Sequence, residues 1–293
     1  MELWFVLASL CALLWGLAGV FAKLSTPKLG VARIAYLIVI IESVMYFAGF
    51  YCWHENMTIS LEYGALAAVS ALVGITAYLC FFESLMTGQV ASVGTISAAF
   101  PALTVIGAVI FLSETLTVIQ LVGLAAIISG VVGLSYEWKR GAPDAAHAIP
   151  RRSLFFALLA FALWGFWSLT SKIVVNKIGP GNVFGFYAIS SFAVPFLYGG
   201  IQKIRSSSMN TEKPASKVWA FGAMSLALNV SGTFAFSFAL KVGLASLVVP
   251  ISSAYPLVTV TLALLLLGEK LNHPQLIALA FVIIGLIIIG SIG

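Results

Sequence analysis

The feature that confines this chain most is the recurrence of apolar blocks, each about 20 residues long, separated by short charged or turn-rich breaks. They fall at residues 3–24, 32–53, 61–86, 90–112, 116–137, 153–175, 183–203, 217–240, 245–267 and 271–291. A helix needs ~20 mostly apolar residues to cross a bilayer core, so ten spans fit. The blocks are twice the length of a barrel strand and lack its in/out alternation, which selects helices. With 61% hydrophobic and 9% charged residues, against ~45–50% and ~25% in a soluble domain, the chain has too few polar groups to cover a water-facing surface. The expectation is an all-α protein with ten transmembrane helices in the cell (inner) membrane. The first block reads as a retained span, since no basic region precedes it and its pattern returns at residue 154.

The two longest connectors, 139–152 and 202–217, are too short for a second domain, so function rests on the membrane bundle. The net charge of +5 comes from 15 Lys and Arg spread thinly between the blocks, which speaks for topology and not for nucleic acid. With the N-terminus on one face, 12 of them fall on the opposite face and Lys172, Lys177 and Lys241 on the same one. The positive-inside rule then places both termini outside. Cys11, Cys52 and Cys80 form no CxxC pair, and His54, His147 and His273 sit in connectors. No disulfide framework, metal site or cofactor is implied.

Two stretches of the chain match each other. Trp15-Gly16 followed by Lys23 returns as Trp164-Gly165 followed by Lys172, an offset of 149; Phe81–Leu134 aligns without gaps on Phe236–Ile289, an offset of 155. The second alignment pairs Gly88 with Gly243, Ser97 with Ser252, Pro101 with Pro256, Glu114 with Glu269, Gln120 with Gln275 and Gly130 with Gly285. Chance apolar similarity matches Leu and Val but rarely aligns Gly, Pro, Glu and Gln in register, so the chain is read as a duplication: 1–138, a connector 139–152, and 153–293. Five helices per copy is an odd number, so the copies enter the membrane from opposite sides and form two inverted five-helix repeats. Such repeats around a central cavity near the midplane point to alternating-access transport.

The same motifs carry a resemblance. Trp-Gly in the first span, a mid-helix Pro in the fourth, Ser-Glu or Gly-Glu after it, then Gln-Leu and a Gly-bearing fifth helix, all present twice, resemble the drug/metabolite transporter superfamily, specifically two EamA-type halves. The resemblance implies ten helices in a basket, the cavity lined by the first, third and fourth helices of each half and the fifth helices peripheral.

Glu42 is the one ionisable residue near the middle of a span. A carboxylate at that depth costs ~2.5–3.5 kcal/mol, less if it is protonated or faces a wet cavity. It either exchanges a proton or pairs with cationic substrate during transport, or is a protonated acid bonded to a neighbouring helix; its repeat counterpart is Ser190 or Ser191. Glu83 reads as a headgroup-level acid, with a cavity mouth as the alternative. Glu114 and Glu269 read as caps on the helix that follows each. Lys23 and Lys172 end the first helix of each half and either snorkel to the interface or guard the cavity mouths for anionic groups. Pro101 and Pro256 free a carbonyl and kink the fourth helices, serving as hinges flanked by Ser97, Thr104, Ser252, Ser253, Tyr255 and Thr259. Asn229 lies on a small, polar face of the eighth helix and either packs or touches substrate. Trp15, Tyr78, Trp164, Trp167, Tyr187 and Tyr255 lie within spans and suit flat, amphipathic or cationic solutes.

An intramembrane enzyme would need paired acids, a nucleophile elbow or a His/Asp cluster, and a channel would need acid rings or filter sequence; neither pattern is in the chain. The expected function is secondary transport of a small organic metabolite, with export as the direction and protons as a coupling ion, by a monomer or weak dimer. The alternative is proton-coupled efflux of hydrophobic cations in the manner of small multidrug resistance proteins, although here the deep Glu is in the second helix and not the first.

Overall fold

A computed structural model describes residues 2–87, 96–97, 99–135, 151–205, 214–258, 261–262 and 273–292. The helices are α1 (Leu3–Leu29), α2 (Val31–Trp53), α3 (Leu61–Thr87), α4 (Phe100–Phe111), α5 (Val118–Ser135), α6 (Arg151–Ile178), α7 (Pro180–Arg205), α8 (Ser216–Val242), α9 (Ala245–Ser252) and α10 (His273–Ile292). No strand occurs among the described residues. Among the described residues seven helices, α1, α2, α3, α6, α7, α8 and α10, are long and apolar enough to cross a membrane, while α4, α5 and α9 are shorter apolar segments. Large apolar side chains such as Val44, Phe47, Ile110, Val118 and Ile287 point outward. In water that surface would be a liability; against lipid tails it costs nothing.

The main packing partners are α1 with α8, α2 with α7, α3 with α6, α4 with α9 and α5 with α10. Each pair joins the first five helices to the last five, and exchanging the two sets leaves the scheme unchanged. Local detail repeats as well. Gly30 (φ 75°) and Gly179 (φ 78°) stand 149 residues apart and turn α1 into α2 and α6 into α7. That left-handed backbone is open to glycine at no steric cost.

α5 and α10 touch through glycines. A Cβ on Gly130 would lie 2.7 Å from the Ala278 carbonyl oxygen, and one on the repeat-equivalent Gly285 would lie 2.6 Å from that of Gly123. Without a hydrophobic drive between helices in lipid, close backbone approach supplies the attraction. Gly130→Val and Gly285→Val are each expected to destabilise the protein by about 1–3 kcal/mol, because backbone cannot step aside as a side chain can. Thermal unfolding in detergent checks this, with Gly64→Ala as control, since its nearest neighbour would be 3.6 Å away.

Candidate functional site

The Trp-Gly pair places its indole in the same surroundings in both halves. Trp15 on α1 packs on Phe236 of α8 (centroids 5.4 Å apart) and edge-on to Tyr255 (6.3 Å). Trp164 on α6 packs on Phe81 of α3 (5.4 Å) and on Phe100 (5.8 Å). Phe81 and Phe100 are the 155-residue counterparts of Phe236 and Tyr255. The glycine that follows lets a helix approach: a Cβ on Gly165 would meet the side chain of Leu103, and one on Gly16 would meet that of Val258, again a counterpart pair. The motif is thus a packing joint between the first helix of one half and the third helix of the other with the segment after it: Phe236, Tyr255 and Val258 for Trp15-Gly16, and Phe81, Phe100 and Leu103 for Trp164-Gly165.

From Trp15 a run of aromatic contacts leads to Glu42. Phe236, only 1% exposed, touches Trp15 and also stacks on Trp167, centroids 5.3 Å apart and planes 20° apart. Trp167 Nε1 donates to the Tyr187 hydroxyl at 3.1 Å. Tyr187 meets Tyr46 edge-on at 5.4 Å. Tyr46 lies four residues after Glu42 on the same face of α2, and both Tyr46 and Tyr78 are within electrostatic reach of its carboxyl group. Glu42 is 4% exposed and accepts from Ser191 Oγ at 3.4 Å. Ser191 is its 149-residue counterpart, so the two equivalent positions of α2 and α7 face each other where the halves meet.

Hydroxyls bind these helices together. The Tyr187 hydroxyl and Ser171 Oγ are 3.0 Å apart, Ser171 and Ser70 Oγ 3.4 Å apart, and Thr170 Oγ1 donates to Ser70 Oγ at 2.9 Å. Thr104 Oγ1 and Ser168 Oγ are 2.6 Å apart and link α4 to α6. In lipid each such bond replaces water that is not there.

Pro101 and Pro256 do not lie mid-helix as the sequence suggested: just before each the chain departs from regular helix. Ala99 N donates to Ile96 O and Ala102 N to Ala99 O; the counterparts Ala254 N to Ile251 O and Leu257 N to Ala254 O repeat the pattern. Pro101 and Pro256 begin the segments that follow, in keeping with their fixed φ and missing N–H. Beside these turns the Ser97 and Ser253 hydroxyls are buried without a hydrogen-bond partner among the described residues, as is that of Ser43, the residue after Glu42.

The charged residues hold helix ends. Glu114 accepts from Ala245 N (2.8 Å), Ser246 N (2.9 Å) and Ser246 Oγ (2.6 Å), capping α9 and not the helix after it in sequence. Folding back across the bundle brings a helix start of the other half closer than its own neighbour. Lys172 Nζ donates to Leu240 O and Gly243 O, both at 2.6 Å. Glu83 accepts from Arg152 Nη2 (3.0 Å) and the Tyr198 hydroxyl (2.6 Å). Asn229 contributes its backbone carbonyl, which accepts from Trp15 Nε1 at 3.1 Å. Gly88, His147, Thr259 and Glu269 lie outside the described residues, as does the side chain of Lys23.

Trp15, Tyr255, Tyr78, Glu42, Trp167 and Asn229 come together at the centre of the bundle, while Trp164 holds the equivalent place in the other half. Tyr46 and Phe236 are the central residues that the sequence did not single out as binding candidates. For Tyr46 a signal existed in its i+4 spacing from Glu42. For Phe236 it lay in the repeat pairing with Phe81.

With seven bilayer-length apolar helices and no strand among the described residues, the chain is an integral membrane protein. The model of the EamA-like transporter family matches it twice, over residues 2–136 and 151–291, so the chain belongs to that family, within the drug/metabolite transporter superfamily. It is a membrane transporter of that type, in a family of transporters and not of enzymes. An uncharacterised protein of Methanocaldococcus jannaschii is 28% identical over 137 residues, which make up 47% of this chain and 95% of the relative. A solved structure described only as "Crystal structure of protein" shares the fold, with a TM-score of 0.78 over 99% of this chain and 96% of the other at 16% identity.

Proposed function

We propose that the protein is a secondary transporter that moves a small organic metabolite by alternating access, with export as its direction. Two five-helix repeats, 1–138 and 153–293, joined by 139–152, enter the membrane from opposite sides and enclose the site between them. The observation that carries this reading is the repetition of the tryptophan joints, Trp15 on Phe236 and Tyr255, Trp164 on Phe81 and Phe100. Two near-equivalent joints allow one to tighten as the other loosens, which is the requirement for two conformations of similar energy. The relative that spans about one repeat adds support for the duplication. Trp15, Glu42, Tyr78, Ser97, Trp164, Trp167, Asn229, Ser252 and Tyr255 form the substrate site, and Pro101 and Pro256 are the hinges. Lys23 and Lys172 stand at the two mouths. The 12-to-3 division of Lys and Arg supports termini on the outer face.

A second reading, proton-coupled efflux of hydrophobic cations, is favoured by one observation. Glu42 is buried with Tyr46 and Tyr78 in electrostatic reach of its carboxyl group, and it accepts a long hydrogen bond from Ser191. An ammonium group entering that setting gains both a counter-ion and aromatic faces.

A thermal-shift screen of the purified protein against amino acids, nucleosides, sugar phosphates and lipophilic cations, followed by liposome uptake under an imposed pH gradient, tests both readings. Stabilisation and saturable uptake of one organic class support transport. Stabilisation by lipophilic cations selects the second reading, and saturable uptake of none of the four classes contradicts both.

A further inference from the structure

Two charged residues grip one seven-residue stretch, Leu240 to Ser246, where α8 ends and α9 begins. The last carbonyls of a helix and the first amides of the next have no partners within the helix, and they carry partial negative and partial positive charge. Here Lys172 of α6 takes the carbonyls, Leu240 O and Gly243 O, while both carboxylate oxygens of Glu114 take the amides of Ala245 and Ser246 and the Ser246 hydroxyl. Glu114, Ala245 and Ser246 are buried, and Lys172 is half-buried. Trp4, near the start of α1, closes on the same turn: a Cβ on Gly243 would lie 2.6 Å from Trp4 Cβ. The grip joins α1, α6, the link after α4 and the α8–α9 turn, which draw on both halves of the chain, at the face that carries the N-terminus.

Lys241 provides the contrast. It also stands at the end of α8, but it is exposed and reaches Asn176 O at 3.4 Å.

We propose that Lys172 and Glu114 are a latch that holds this face of the transporter closed and is released when the face opens. The proposal rests on the alternating-access reading. Its physical basis is the environment: in a dry bundle the helix-end groups need protein partners, whereas once water enters the same groups are satisfied without them. The latch therefore holds while the face is dry and lets go as it hydrates, which gives two stable positions and a barrier between them. Lys172 then serves to bind backbone, in place of attracting anionic solute.

The test is a distance. Spin labels at Thr115, beside Glu114, and Val242, at the end of α8, are both at exposed positions and report whether the link and the turn stay together. With Cys11, Cys52 and Cys80 replaced, the parent is expected to give one short distance in liposomes. Lys172→Met is expected to shift the balance toward a longer distance by about tenfold, the effect of losing charge-assisted bonds. Lys172→Arg retains donors and keeps the short distance, and Lys241→Met leaves it unchanged. If Lys172→Met does not survive purification, Glu114→Gln carries the same comparison, because an amide offers one acceptor oxygen in place of two. An unchanged distance in Lys172→Met, or equal lengthening in Lys241→Met, overturns the latch. Absence of saturable transport with the distance pattern intact overturns the transport reading and leaves the latch; normal transport with no distance change does the reverse.

Discussion

Glu42→Gln is expected to abolish the response of transport to an imposed proton gradient while leaving substrate binding within a few-fold of the parent. An acid at mid-span is costly, and such residues mark proton relays or ligand contacts. Glutamine matches glutamate in size and still accepts from Ser191, so the α2–α7 contact survives and only the exchangeable proton is removed. The measurement is initial uptake in liposomes at several pH gradients. The parent should respond to the gradient by about tenfold or more, the scale on which a single positioned proton-transfer group acts, and the variant should be flat. A variant that keeps the parent's response removes Glu42 from the coupling path. If substrate is itself a cation held by Glu42, binding falls together with uptake, and the thermal shift given by that cation is lost.

Phe236→Ala should be the most damaging apolar substitution at the centre. Phe236 touches Trp15 on α1 and Trp167 on α6, so removing it leaves two indoles of different helices without their shared surface. Large-to-small changes of this kind cost about 3–5 kcal/mol in soluble cores. In lipid the cost is chiefly lost packing and the cavity left behind. A fall in unfolding temperature on the order of 10 °C is expected, together with loss of uptake. Phe81→Ala, its repeat counterpart, should cost less: Phe81 makes the equivalent contact with Trp164, but the 149-residue counterpart of Trp167 is Ala18, which has no indole. Equal falls for the two variants would mean that the Trp167 stack contributes nothing.

The helical bundle was legible because lipid imposes a length and a composition that the apolar blocks display directly, and because Gly, Pro, Glu and Gln aligned in register between the halves. The equivalence of Trp15 and Trp164 followed from the same repeat, but their packing on Phe236 and Phe81 did not: the sequence marked them only as candidates for substrate contact. What the chain alone did not reveal was partnership across the bundle. Glu114 precedes α5 in sequence, so capping the next helix was the natural expectation, yet its partner is Ala245, 131 residues away. Lys172 reads from its position as a snorkelling or mouth-guarding lysine, and nothing in a linear pattern indicates that the end of α8 lies beside it. The centrality of Phe236 was hidden among 21 phenylalanines, most of which are indistinguishable by periodicity alone when every face of a helix is apolar.

Counterflow tests the central claim most directly. Liposomes loaded with excess unlabelled substrate, taken from the class that stabilises the purified protein, are diluted into a trace of the labelled compound. A carrier that exposes one site alternately to each side returns loaded more often than empty, so label should accumulate transiently above its equilibrium level and then decay. Flux that shows no overshoot and rises linearly with concentration would mean a continuous pore, and alternating access around a central site would be wrong.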